Sequence, residues 1–317
     1  VKLRRDIFLF SAVAISAAAG GWWFLSNRPG AAVDAFQREH RAQQAASVPR
    51  LPPADAFRAT VCAAGPCVVV EAGGLTFIFG AGQGAAEGIE QLGLMHANID
   101  ALLLPDLTLK TVEGLPAVAG AGARAGRREP LKVYGPTGML PVVDGTNLIV
   151  SAPPQARLAA GVEGEDQGAY GRLVFDSGVV TVRGFGGLER GMGRVYRIDF
   201  EGRSLILSGC LALPADILAA ARQAKDPGAV VLAGSARLLG SLSSCIDLPT
   251  VALALSQAKV SASVLLPADP PDTHPLAAAA WREMLSASEP SAPRIGLPGT
   301  VIDMSGEKAI VRELRQK

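Results

Sequence analysis

The chain has 317 residues, 49% of them hydrophobic and 19% charged, and its 30 basic and 29 acidic side chains leave a net charge of +1. That length holds one large domain or two small ones, and the balanced charge excludes the basic surplus that a nucleic-acid partner demands. Abundant glycine (36) and proline (22) beside scarce aromatics (5%) mark a loop-rich α/β globule rather than a disordered chain.

Lys2, Arg4 and Arg5 precede an uncharged run from Ile7 to Leu25. A span of about 20 apolar residues crosses a bilayer as a helix. Basic residues hold the preceding end in the cytoplasm, and Trp22 and Trp23 suit the far interface. Residues 1–28 are therefore expected to be a transmembrane anchor in the inner membrane, with the remaining chain in the periplasm. A cleaved signal is the alternative. Arg4-Arg5-Asp6-Ile7-Phe8-Leu9 resembles a twin-arginine signal, and Val33-Asp34-Ala35 offers a cleavage site. Both readings export the domain, the second as a soluble periplasmic protein.

Residues 29–57 read as a polar juxtamembrane helix, Ala31 to Ala46, ended by a proline-rich spacer, Val48 to Pro53. The folded domain is expected over 58–317. Ala59–Ala63, Cys67–Glu71 and Leu75–Phe79 have the short apolar pattern of strands, turned at Gly65-Pro66 and Gly73-Gly74. Ala85–Leu92 follows as a helix, Ile99–Leu104 as a buried strand and Leu131–Tyr134 as another. A further helix starts at Gly114-Leu115-Pro116. Val179–Phe185, Arg194–Phe200 and Ser204–Ser208 form an antiparallel set with a hairpin turn at Glu201-Gly202. Pro214–Ala224, Leu248–Ala258 and Leu276–Ser286 read as helices, Ala229–Ala233 and Ser261–Leu266 as strands. The tail, Ile295–Arg315, adds a hairpin and a terminal strand or helix. The pattern is two similar halves of an α/β or α+β fold around one core, and helices lying outside two sheets would make it a four-layer αββα sandwich.

The segments VVVEAGGLTFIFGAGQGAAEGIEQLGL, NIDALLLPDLTLKTVEGLP and EPLKVYGPTGM, followed by VYRIDFEGRSLILSGC, ADILAAARQAKDPGAVVLAG and VALALSQAKVSASVLLPAD, together resemble the metallo-β-lactamase superfamily, in its ribonuclease Z and arylsulfatase-like branch. The resemblance runs from about Arg58 to Asp269. It implies the αββα sandwich and a hydrolytic centre of one or two zinc ions, where a bound water supplies hydroxide.

The zinc-ligand positions hold other residue types. The Thr-His-x-His-x-Asp-His loop corresponds to Pro105 to Thr111. Asp106, Thr108 and Thr111 stand in the histidine places and Lys110 in that of the aspartate. Lysine brings a positive charge and no lone pair. The turn that supplies a bridging carboxylate reads Ser208-Gly209-Cys210, the strand that should end in Thr-His ends in Pro267-Ala268, and no histidine lies near Phe185-Gly186-Gly187. Gly80 replaces the aspartate of an Asp-x-Gly turn. The three histidines, His40, His96 and His274, have no ligand spacing and read as solvent-facing polar residues.

Other chemistry finds little support. Asp106, Lys110, Glu113 and Cys210 share one cleft if the resemblance holds, but Cys210 has no histidine to activate it. No Gly-x-Ser-x-Gly elbow follows a strand, and Gly80-Ala81-Gly82-Gln83-Gly84 lacks the Lys-Ser/Thr of a phosphate loop. Four cysteines in an exported domain invite pairing. Cys62 and Cys67 flank a hairpin tip, and the resembled fold places Cys210 and Cys245 on loops at one mouth.

The expectation is a membrane-tethered periplasmic protein without zinc or other cofactor. It acts in binding or scaffolding, as an accessory subunit beside an envelope or membrane-complex partner, with no nucleic acid. The alternatives are an exported hydrolase with a displaced or non-zinc site, and a small-molecule sensor that uses the vestigial pocket.

Overall fold

A computed structural model describes residues 50–151, 161–166, 170–189, 191–234, 260–267 and 293–313, with residues 16, 20–23, 30, 33–38 and 256–257 besides. The chain divides into two units, 1–49 and 50–317. In the first, residues 20–23 and 33–38 are helical. Most of the expected anchor lies outside the described residues, and among those described no helix is long and apolar enough to cross a membrane. The expected helices at 248–258 and 276–286 lie outside them too, apart from a helical turn at 256–257.

The second unit is built on two sheets. The first has eight strands in the order β15-β14-β1-β2-β3-β4-β5-β6. These are β1 (Phe57–Val61), β2 (Val68–Ala72), β3 (Leu75–Phe79), β4 (Ala101–Leu103), β5 (Leu131–Gly135), β6 (Val162–Asp166), β14 (Thr300–Asp303) and β15 (Ile310–Glu313). The second has seven, ordered β13-β12-β11-β10-β9-β8-β7: β7 (Arg172–Asp176), β8 (Val180–Gly186), β9 (Arg194–Phe200), β10 (Arg203–Ser208), β11 (Pro227–Gly234), β12 (Ala262–Pro267) and β13 (Arg294–Ile295). Strands β3 to β6 run parallel, as do β10 to β13.

Alternation sorts the side chains. Val68, Val70 and Ala72 of β2 face Tyr196, Ile198 and Phe200 of β9 in a core between the sheets. There Phe57–Phe200, Phe77–Phe175 and Phe79–Tyr196 meet edge to face at 5.8, 5.1 and 6.4 Å, a geometry that ring quadrupoles favour. The other face of the first sheet is covered by α1 (Ala85–Gln91), α3 (Leu115–Arg124) and α4 (Leu140–Ser151). A short α2 (Leu109–Val112) lies just after β4. Helix α5 (Pro214–Arg222) covers the second sheet through Ile217 and Ala220. The layers are therefore helix, sheet, sheet, helix, as expected.

Hairpins fall where the sequence places them. Gly73-Gly74 and Glu201-Gly202 both have positive φ at each position (57°, 81°; 48°, 80°), the two-residue geometry that matches strand twist. The expected spacer behaves differently: from Arg50 it is fixed to the body. Its Arg50 N–H donates to the Gly93 carbonyl at 3.0 Å, and its guanidinium grips Glu71 at 2.5 and 3.1 Å. Arg58 holds the same carboxylate at 2.6 and 3.0 Å.

His96 corrects the sequence reading. It is buried, not solvent-facing. Its Nε2 lies 3.0 Å from the Ala86 carbonyl, and burial holds its pKa below the usual value. It lies between α1, whose Ala86 carbonyl it contacts, and the start of β4.

Candidate functional site

The strand ends that would carry a metal centre meet at one mouth of the sandwich. Arg194 N–H donates to the Pro105 carbonyl at 2.6 Å, and Thr137 N–H to the Gly187 carbonyl at 3.1 Å. Gly209 lies so close to Pro105 and Asp106 that a Cβ there would overlap the proline ring and sit 2.9 Å from Asp106 Oδ2.

The substituted loop closes on itself. Asp106 is 1% exposed. Its Oδ1 accepts from the Thr108 N–H at 3.0 Å and the Thr108 hydroxyl at 2.6 Å. Thr108 Oγ1 is 3.1 Å from Thr111 Oγ1. The three residues at histidine positions are thus one hydrogen-bonded cluster. Thr108 is also the N-cap of α2, and its side chain makes no capping bond; its hydroxyl donates to Asp106 instead. Leu109 and Lys110, at the outer turn, are exposed, as is Glu113. Asp106 Oδ2 is buried with no hydrogen-bond partner, a deficit of about 1–3 kcal/mol in a neutral group and more in a charged one.

Zinc does not fit these residues. It needs about four imidazole, thiolate or carboxylate donors. Here one carboxylate is half consumed by threonine, and its other oxygen is pressed against Gly209. Cys210 is disulfide-bonded and has no thiolate to offer. Among the described residues no group of three or more His, Cys, Asp or Glu is placed to hold a metal ion. Ala268 and Cys245 lie outside the described residues, as do His40 and His274. Cys62 and Cys67 form the expected disulfide, with Cα atoms 5.4 Å apart.

The sequence reading missed Arg194. It opens β9 on the inter-sheet side and is fully buried. A Cβ on Gly184 would overlap its guanidinium, and one on Gly187 would lie 3.1 Å from its Cβ. A buried arginine therefore lies beside Gly184 and Gly187, next to the Phe185-Gly186-Gly187 stretch where a further histidine ligand is expected, and the Asp216 carboxylate borders Gly186 in that stretch. The signal was available: an arginine in register with Tyr196, Ile198 and Phe200, beside glycines that leave room for it. Tyr196 is the neighbouring device. Its hydroxyl donates toward the carbonyls of Leu104 and Tyr134, at 3.0 and 2.9 Å, tying the ends of β4 and β5 to the second sheet. Burial pushes the phenol pKa well up, and the charge of Arg194 offsets part of that.

No family model matches the chain. A stretch of 87 residues is 29% identical to the ribonuclease Z of Clostridium kluyveri, spanning 27% of this chain and 29% of that enzyme. The fold is similar to that of human tRNase Z, short form, at a TM-score of 0.52 and 15% identity over 67% of this chain and 89% of that one. It is similar to the metallo-β-lactamase fold protein YhfI of Bacillus subtilis (0.60; 10% identity; 78% and 99% covered). It is also similar to Zn2+-bound PqqB from Methylobacterium extorquens (0.53; 14% identity; 78% and 87% covered). Two sheets packed between outer helices, these neighbours and the ribonuclease Z-like stretch agree: the chain is a protein of the metallo-β-lactamase fold.

Proposed function

We propose that this fold serves binding or scaffolding here, in a membrane-tethered periplasmic protein that assists an envelope complex, and not metal-dependent hydrolysis. One observation supports this most: the side chains at the ligand positions bond to one another, and the one oxygen left over, Asp106 Oδ2, is buried beside Gly209. Asp106 bonds to Thr108 and Thr108 to Thr111, and the cysteine in the bridging-carboxylate place is oxidised. A hydrolase needs the opposite, donors held apart and left open toward a metal or substrate. The exported location rests on the Ile7–Leu25 run and its basic flank.

Metal analysis tests the first part. Protein exposed to zinc and then dialysed is expected to retain well under one equivalent and to show no phosphodiesterase activity. Retention of about one zinc or more per chain, lost on Asp106→Ala, would restore the hydrolase reading. Fractionation tests the second part. Full-length protein is expected with the inner membrane, and a chain starting at Ala46 in the soluble fraction. Recovery of a soluble product trimmed near Ala35 would replace the anchor by a cleaved signal.

A further inference from the structure

The disulfide at the tip of the β1–β2 hairpin looks remote from the metal-loop position in sequence. In space, an unbroken series of main-chain contacts connects the two. Cys62 and Cys67 close a six-residue tip whose Pro66 carbonyl accepts the Gly82 N–H at 3.1 Å. A Cβ on Gly80 would overlap that carbonyl, and one on Gly65 would lie 3.0 Å from the Gln83 nitrogen. Helix α1 lies against the tip from the other side: a Cβ on Gly88 would overlap the Cys62 carbonyl. The Gly80–Gly84 turn passes the contact on. A Cβ on Gly82 would lie 2.7 Å from the Lys110 carbonyl oxygen, and one on Gly114 would overlap the Gly82 carbonyl. Ala81 donates to the Thr111 carbonyl at 2.8 Å and accepts from Gly114 at 2.7 Å. Thr111 then meets Thr108, and Thr108 meets Asp106.

As far as Thr111 the steps are backbone on backbone, most of them through glycines with no side chain to absorb a shift, and the last two, Thr111 to Thr108 to Asp106, are side-chain hydrogen bonds. Interiors packed this closely transmit displacement instead of damping it. We propose that the Cys62–Cys67 bridge is a redox-dependent latch: the Asp106–Thr111 cluster holds its closed form only while the bridge is made. The relevant conversion is two-electron. A dithiol gives two electrons and two protons to the bridge, which becomes two thiols while the dithiol becomes a disulfide. Cys62 and Cys67 are buried, so the dithiol reaches the bridge only when the tip opens transiently; in a compartment that maintains such dithiols the tip is then held open, and the loop at the mouth loosens with it. The coupling is independent of the proposed location and of any partner.

Hydrogen exchange on the full chain reads this directly. The double variant Cys62→Ser/Cys67→Ser leaves the bridge at Cys210 untouched. Its amides from Thr108 to Gly114 are expected to lose protection by about tenfold or more, while those of β9 to β11 are unchanged. Gly82→Ala, with the bridge intact, is the second arm. It pushes on both Pro66 and the Lys110 carbonyl, and is expected to loosen the same 108–114 amides selectively. Protection at 108–114 that stays at the wild-type level in both variants would overturn the proposal. So would a uniform loss across the whole domain in both, which would make the bridge a general staple of the fold. If the double-serine variant does not fold, the same exchange on the wild-type chain after partial reduction decides: with peptide mapping showing the Cys62–Cys67 bridge open and the Cys210 bridge intact, selective loss at 108–114 supports the latch and unchanged protection overturns it.

Discussion

Glu71→Ala is expected to destabilise the domain by about 2–3 kcal/mol, less than breaking a fully buried pair costs, because the arginines left behind are 39% and 26% exposed and regain water. Glu71 is 1% exposed and takes four hydrogen bonds from two arginines. Removing it leaves Arg58 on β1 without its partner and frees Arg50 from β2. Arg50→Ala is expected to cost much less, because that side chain is 39% exposed and regains water when released. The pH dependence has a fixed sign. Burial raises the pKa of Glu71, but hydrogen bonds from Arg58 and Arg50 outweigh it, and the net shift is downward. A carboxylate depressed in the folded state stabilises above the unfolded value and loses that contribution as pH falls through the folded one. The domain should weaken below about pH 4, and Glu71→Gln should remove that part of the acid sensitivity. Chemical denaturation of the three variants between acid and neutral pH measures all of this. An alanine variant within about 1 kcal/mol of wild type would show the cluster to be energetically idle.

The second large effect concerns Cys210, which is disulfide-bonded and packs on the inter-sheet core. Its expected partner is Cys245, outside the described residues. Peptide mapping under non-reducing conditions should recover a 210–245 cross-link. That bridge closes a loop of about 35 residues, for which chain entropy gives about 3–4 kcal/mol. Cys210→Ser should lose roughly that amount, against about 0–1 kcal/mol for an exposed salt bridge of Lys110. A cross-link from Cys210 to either cysteine of the hairpin, or a serine variant as stable as wild type, would refute the assignment.

Much of this fold is legible because its strands are buried on both faces. Runs such as Val68–Val70 and Leu205–Leu207 leave little choice of element. Helix α4 was not legible. Its Leu140-Pro-Val-Val-Asp-Gly-Thr-Asn run contains Pro141 and Gly145, its Leu148 and Ile149 are exposed, and only a narrow stripe through Val143 and Thr146 packs on the sheet. Strands β6 and β7 were missed for a related reason. Each ends its sheet, so Val162-Glu-Gly-Glu-Asp166 has little apolar pattern to show. At the site, the sequence puts Asp106, Thr108 and Thr111 on one loop after a buried strand, whereas their mutual bonding needed coordinates. His96 misled because a lone histidine between a turn and a strand has no periodicity to betray its burial.

The guanidinium of Arg194 also bears on descent. Were histidines placed at Asp106, Thr108 and Thr111, the positions the resemblance assigns to metal ligands, Arg194 would still stand between the sheets. Its side chain fills the space that Gly184 and Gly187 leave between the sheets, so new imidazoles alone would not reopen that space. Placing the ligands first gains nothing, and removing the arginine first empties a packed space. Neither order offers an advantage at its first step. Under the proposed non-metal role, a buried arginine of this kind would make a return to metal binding harder, and in comparing chains of this fold it would separate those that have merely drifted from those that have committed.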